Sequence, residues 1–333
     1  MKKVLFISAY NSPFVKRDME ILQKEFKVSE AKGRKLSKSI FNYIWIILTI
    51  SWQVINADFV YCWFADFRAR AGIFWTKLFH KKSVVVIGGY EIRALIYPNK
   101  ESSKFNLGRH FIYCLNHADS VLTVSDVYQD RLTDIFPKHK NKIRRIYIGF
   151  MPPNQNNELI EKENTVITVC AGRNKERIQV KGLDLFVKTA KLLPMYNFII
   201  IGPTGDLARE LVELKESDNL EILPNMEEES LRRYYQKAKV YCQFSRYESF
   251  GLALVEAMSW QCIPVVSPIS SLMERIGNRG FILSEFNPDK AAELVLSALN
   301  SNEEAGVEAA KWVNMKYDIK IREKEIIELL KRL

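Results

Sequence analysis

Residues 240–267 read VYCQFSRYESFGLALVEAMSWQCIPVVS. VYCQF (240–244) and IPVVS (263–267) are short β-branched and aromatic runs, and the apolar stretch LALVEAM between them reads as a buried helix. Strand, helix and strand joined this tightly form one parallel crossover unit. The turn into the helix holds Phe250 and Gly251, and a glycine entering a helix leaves backbone N–H groups approachable by an anion. Glu248 precedes that turn and Glu256 lies inside the helix. A carboxylate on either side of an anion-binding turn suits a ligand that carries both phosphate and hydroxyl groups.

The same alternation runs through the chain. Expected strands in the first half are VLFIS (4–8), FVYCWF (59–64), SVVVI (83–87), SVLTV (120–124) and IRRIYI (143–148). In the second half TVITVC (165–170), NFIIIG (197–202), LEIL (220–223) and GFILS (280–284) join the two already named. Helix-like segments separate them, so the fold class is α/β with doubly wound parallel sheets. A chain of 333 residues is long enough for two cores. FMPPNQNNELIEKEN (150–164), with paired prolines and four asparagines, is the expected linker. It divides an N-terminal domain over 1–155 from a C-terminal domain over 160–316. The amphipathic segment YDIKIREKEIIELLKRL (317–333) is expected to cross back and complete the first domain.

Charge is unevenly spread. Residues 1–150 hold 25 Lys and Arg against 12 Asp and Glu, while the remainder holds 24 against 27. The whole net charge of +10 therefore comes from the first half, which points to an anionic partner for that half alone. No nucleic-acid motif accompanies the charge, so nucleic acid is set aside in favour of an anionic membrane surface, the plainer reading being that the charge aids solubility or binds a soluble anion. Basic residues cluster at Lys32–Lys38, at Arg68 and Arg70, at Lys81–Lys82 and at Lys138–Arg145. SIFNYIWIILTISWQVINA (39–57) is free of charge for 19 residues. It reads as a buried crossover helix, with partial insertion into a membrane surface as the competing reading. Five scattered cysteines without a CxxC spacing read as reduced core residues. MKKVLFISAY has too short an apolar stretch for a signal peptide and reads as a first strand, so the protein is expected in the cytoplasm, peripheral to the membrane's cytoplasmic face.

Three further pieces fall on strand ends of the second half. TVITVC leads into AGRNKERIQVKGLD, which places Arg173, Arg177 and Lys181 ahead of a helix opening at Gly182. Cations at such a junction fit a diphosphate, the plainer reading being a solvated basic loop. NFIIIG leads into PTGD, setting Gly202 after a buried strand, and VYCQF leads into SRYESFG, setting Glu248 at a strand end.

KG-x-D, then a glycine loop, then an E-x7-E segment running into PVVS, in that order, resemble the retaining glycosyltransferases of family 4. FVKRDMEIL (14–22) and VVVIGGYE (84–91) are similar to an archaeal and bacterial sub-branch with a GGY-E loop. The resemblance implies a GT-B fold, two Rossmann-like doubly wound domains facing a cleft. It implies transfer of a sugar from a UDP-, GDP- or similar nucleoside-diphosphate sugar to a glycan or lipid-linked acceptor, in cell-surface polysaccharide or glycolipid synthesis. No metal and no cofactor are implied. Carried onto this chain, Glu256 would bind the ribose hydroxyls and Glu248 the donor sugar near its reacting carbon. The backbone N–H groups of Phe250, Gly251 and Leu252 would face the sugar and distal phosphate. Arg173 and Lys181 would neutralise the departing diphosphate, with Gly182 and Gly202 lining the nucleotide sugar.

The chain departs from that pattern twice. NKERIQV separates Arg173 from Lys181 more widely than in the family, which makes Arg177 a competitor for the phosphate role. The family's first-domain histidine is missing: SVVVI runs instead into Gly88, Gly89, Tyr90 and Glu91. Glu91 is expected to face the reacting sugar there, or else to be a loop charge or a partner for Arg93. Three rivals share some of these features. A glycoside hydrolase also uses two carboxylates but has no diphosphate to hold. A nucleotide-sugar epimerase of the same fold, or a non-catalytic partner subunit, keeps the diphosphate site.

Overall fold

The computed structural model of the chain describes residues 1–8, 10, 12–31, 40–92, 107–153 and 161–333. They form two compact units, Met1–Gly149 with Lys320–Leu333, and Phe150–Ile319. Arg93, the whole basic cluster Lys32–Lys38 and the linker's 154–160 lie outside the described residues.

The first unit runs β1 (Lys3–Ser8), α1 (Pro13–Glu25), β2 (Lys27–Glu30), α2 (Ile40–Ile55), β3 (Phe59–Trp63), α3 (Phe67–Leu78), β4 (Lys82–Ile87), α4 (Leu107–His117), β5 (Ser120–Thr123), α5 (Asp126–Ile135) and β6 (Ile143–Arg145). Its sheet is parallel, in the order β2-β1-β3-β4-β5-β6. Every residue of β3 and β5 is buried, because helices cover both faces of a parallel sheet. Such strands therefore read as unbroken apolar runs.

The second unit runs β7 (Glu163–Gly172), α6 (Arg177–Lys181), α7 (Leu183–Leu192), β8 (Asn197–Pro203), α8 (Gly205–Leu214), β9 (Leu220–Leu223), α9 (Glu228–Lys237) and β10 (Ala238–Gln243). It continues through α10 (Leu252–Ser259), β11 (Ile263–Val266), α11 (Ser270–Ile276), β12 (Phe281–Ile282), α12 (Pro288–Leu299) and α13 (Glu303–Tyr317). The last helix, α14 (Ile319–Arg332), falls almost wholly in the first unit. The second sheet is also parallel, in the order β12-β11-β10-β7-β8-β9. Its winding reverses between β7 and β10, and ligands of doubly wound sheets bind beyond the carboxyl ends of the strands at such a reversal. Val166, Phe186, Phe198, Val240 and Val265 are among the side chains that fill its core.

Three details differ from the sequence reading. β2, KVSE, carries no apolar run, and three of its four residues are exposed at the sheet edge. An edge strand needs backbone pairing but no buried stripe, so its sequence signal is weak. IRRIYI is strand only over Ile143–Arg145, and GFILS only over Phe281–Ile282. The charge-free helix α2 is buried along a single stripe, Ile46, Ile50 and Val54, rather than on all sides. Among the described residues no helix is long and apolar enough to cross a membrane. All five cysteines are buried and free of disulfides.

α14 is tied into the first unit by a buried polar cluster. Arg322 donates from Nε and Nη2 to the two carboxylate oxygens of Asp18, at 2.6 and 2.7 Å, and from Nη1 to the carbonyls of Ile146 and Tyr147. The Tyr61 hydroxyl and the Trp63 indole N–H both donate to Asp18 Oδ2 at 2.7 Å. Asp18 is fully buried and Arg322 is 3% exposed, so every partner in this cluster matters.

Candidate functional site

The predicted residues of the second unit gather at the carboxyl ends of β7, β8 and β10. After β7 the chain turns through Arg173 into α6, which ends at Gly182 in the left-handed region, φ 66°. A β-carbon at Gly182 would lie 1.9 Å from the carbonyl oxygen of Phe244, so only glycine lets the α6–α7 junction touch the end of β10. That contact is reinforced from both sides. The Arg246 N–H donates to the Val180 carbonyl, and its guanidinium grips both carboxylate oxygens of Asp184 at 2.8 Å. Lys181 is thereby delivered beside the loop that carries Glu248.

Lys181 Nζ donates to Glu248 Oε2 at 2.6 Å, with the two side chains 20% and 12% exposed. Gln243 Nε2 reaches the same oxygen at 3.3 Å, and the Ser249 N–H donates to Oε1 at 3.1 Å. Ser271 Oγ donates to the Glu248 carbonyl. The carboxylate is thus held by a cation and two amide N–H donors while part of it stays open. It can accept sugar hydroxyls.

Gly251 begins α10 with φ 80°, and a β-carbon there would meet Leu272 at 3.0 Å and Glu248 Cγ at 3.6 Å. Arg275, fully buried, stacks over the Phe250 ring at 4.3 Å and donates from Nε to the Phe250 carbonyl. Phe250 is itself buried, so its side chain anchors the turn while backbone N–H groups of Gly251 and Leu252 open the helix. Glu256 is half-buried five residues on in α10.

The cations separate into two groups. The β8–α8 turn folds onto the β7 loop, since Thr204 N–H donates to the Gly172 carbonyl and Leu207 N–H to that of Arg173. Arg173 is exposed beside Gly205 at the start of α8, 3.5 Å from where a β-carbon there would stand. Gly202, φ 109°, is held against Ala171 in the same turn. Arg177 lies along Gly172, with Cδ 2.4 Å and Nε 2.5 Å from the place of a β-carbon, and its buried Nε meets no acceptor. Lys181 is with Glu248, whereas Arg173 and Arg177 are with the β7 and β8 turns. Among the described residues no group of three or more His, Cys, Asp or Glu side chains stands ready to hold a metal ion.

Glu91 lies in the first unit, in a short 3₁₀ turn after β4. It is 5% exposed and accepts N–H hydrogen bonds from Ala65, Gly88 and Gly89. Gly88 packs against the Phe64 ring, and Gly89 takes φ 106°. In this conformation the carboxylate closes the Gly88–Gly89 loop. Burial pushes its carboxyl up from 4.5 to about 6, although its own backbone N–H and those of Ala65, Gly88 and Gly89 pull the other way. The folded state then binds the proton more tightly than the unfolded chain, so stability falls as pH rises from 4.5 through 6. The expected loss is about 2 kcal/mol. Thermal unfolding of wild type and Glu91→Gln across this range checks it: the variant should lack the decline, and parallel curves would refute the assignment.

Sequence reasoning did not single out Gln243, Arg246, Ser271 or Arg275. Their roles depend on contacts between segments distant in sequence, and only Asp184 of the KG-x-D motif hinted at the Arg246 clamp.

Known proteins repeat this architecture. Residues 152–312 match the family model Glycosyl transferases group 1. An uncharacterised 41.2 kDa protein of the cps region of Klebsiella pneumoniae is 25% identical over 279 residues, 79% of this chain and 75% of its own length. The O-antigen chain mannosyltransferase B of Escherichia coli is 26% identical over 56% of this chain and 53% of its own length. The chain thus spans about half of that second relative. The crystal structure of HepE from Anabaena, in complex with UDP and glucose, superimposes over 100% of both chains with a TM-score of 0.77 at 15% identity. That likeness shows the fold, two parallel-sheet Rossmann-like domains of the GT-B class. The segment that carries Arg173, Lys181, Glu248 and Glu256 lies within the stretch that matches the glycosyl transferases group 1 model.

Proposed function

We propose that the chain is a retaining, metal-independent glycosyltransferase of the family 4 type, using a nucleoside-diphosphate sugar. One observation carries the reading: Lys181 and Glu248 form a 2.6 Å pair at the winding reversal of the second sheet, beside the Gly251 turn. A lone carboxylate there would serve a hydrolase equally well. A carboxylate clamped by lysine, with Arg173 and Arg177 in the β7 and β8 turns of the same unit, suits a sugar joined to a diphosphate.

In this reading Glu248 accepts hydroxyls of the donor sugar. Lys181 and one of the two arginines take up the negative charge that grows on the diphosphate as the glycosidic bond breaks. The orphaned Nε of Arg177 favours that arginine for the nearer phosphate. N–H groups of Phe250, Gly251 and Leu252 face the sugar and distal phosphate, and Glu256 binds the ribose. The leaving phosphate takes the acceptor's proton on the face it departs from, which retains the anomeric configuration. Glu91 acts through the Gly88–Gly89 loop. The acceptor is a glycan or lipid-linked glycan, supported by the mannosyltransferase and cps-region relatives.

Incubation with UDP- and GDP-sugars tests the class. Release of nucleoside diphosphate with an axial-to-axial product, undiminished by EDTA, is expected. Conversion of one nucleotide sugar into another without acceptor would instead make the protein an epimerase.

A further inference from the structure

We infer that α2 is a membrane-surface helix, lying in the headgroup region of an anionic bilayer with its outer face inserted. This goes beyond the proposed chemistry and does not depend on it. The helix has two apolar faces. Ile46, Ile50 and Val54, spaced four apart, are buried in the first unit. On the opposite side Phe41, Trp45, Leu48, Trp52 and Ile55, spaced three or four apart, form a single stripe. Phe41 is 79%, Leu48 61% and Trp52 71% exposed. Thr49, Gln53 and Asn56 follow the border between the two faces.

A packed core requires only the first face. An outward stripe of this kind on a free monomer is an aggregation hazard, so it marks a surface that something covers. Phe74 and Leu78 of the adjacent α3 are exposed as well.

Charge selects the occupant. Between Glu30 and Asp58 the sequence has four cations, Lys32, Arg34, Lys35 and Lys38, and no acid. On the far side of α3, an open cavity of about 460 Å³ is lined by Arg70, Arg109 and His117 without an acidic side chain. A second copy of the chain, paired by two-fold symmetry over α2, would bring like charges together. Anionic lipid neutralises them, and tryptophan favours the membrane interface. With 16 residues α2 falls short of the roughly 20 that span a bilayer, so it lies in the surface rather than crossing it.

The test is flotation of the full chain with phosphatidylcholine vesicles, with and without phosphatidylglycerol, alongside the variant Leu48→Ser/Trp52→Ser. Wild type should float with the anionic vesicles and show tryptophan quenching by brominated lipid. The variant, whose unfolding curve should match wild type because both side chains are exposed, should float at least tenfold less. Equal flotation of the two proteins overturns the inference, as does indifference to phosphatidylglycerol. So does a wild-type dimer, seen by light scattering, that the variant abolishes while neither protein floats.

Discussion

Glu248→Ala is expected to lower kcat for sugar transfer about 10²- to 10³-fold, the loss typical when one preorganised electrostatic contact to the transition state is removed. The fold should survive, because Glu248 belongs to the mouth of the site and the core beneath it is apolar. Lys181→Ala should cost a similar factor. The two residues share one contact at 2.6 Å, so the double variant should be little worse than either single one. Full additivity would mean that they act independently. Nucleoside-diphosphate affinity should change far less in Glu248→Ala than in Lys181→Ala, since only the lysine is assigned to phosphate. Near-normal turnover by Glu248→Ala would remove the carboxylate from the mechanism.

Asp18→Ala should destabilise the first unit by about 3–5 kcal/mol, as expected when one member of a buried ion pair is deleted. The substitution strands the Arg322 guanidinium and leaves the Tyr61 hydroxyl and Trp63 indole without their acceptor. α14 should detach first, because Arg322 is its buried polar anchor. Replacing both charges, Asp18→Leu with Arg322→Met, should recover much of the loss, since apolar pairs of similar volume often equal a buried ion pair in stability. Urea unfolding followed by fluorescence and far-UV circular dichroism measures both effects. A loss below about 1 kcal/mol for Asp18→Ala would show that water reaches the cluster.

The fold was legible for a physical reason. Strands such as FVYCW and SVVVI are buried on both faces, so each must be a continuous apolar run. β2 escaped detection because pairing at a sheet edge requires no such run. α14 was recognisable as an amphipathic helix, but its sequence does not say that Arg322 on its inner face meets Asp18, 304 positions away. At the candidate site, Lys181, Gly182, Glu248 and Gly251 announce themselves through residue type and spacing. Gln243 and Arg275 look like any strand or helix residue.

By itself, then, the sequence determined the two parallel sheets, the Gly251 turn between two carboxylates, and the basic character of the first half. These depend on local periodicity and residue chemistry, which the chain carries with it. Only the tertiary structure decided that Lys181 is clamped to Glu248, that Arg177 rather than Arg173 has a buried guanidinium nitrogen without an acceptor, and that Glu91 turns to the backbone of its own loop. It also decided that α2 has a second apolar face left outside the core. Each of these depends on which distant segments are brought together, and such contacts leave no period in the sequence.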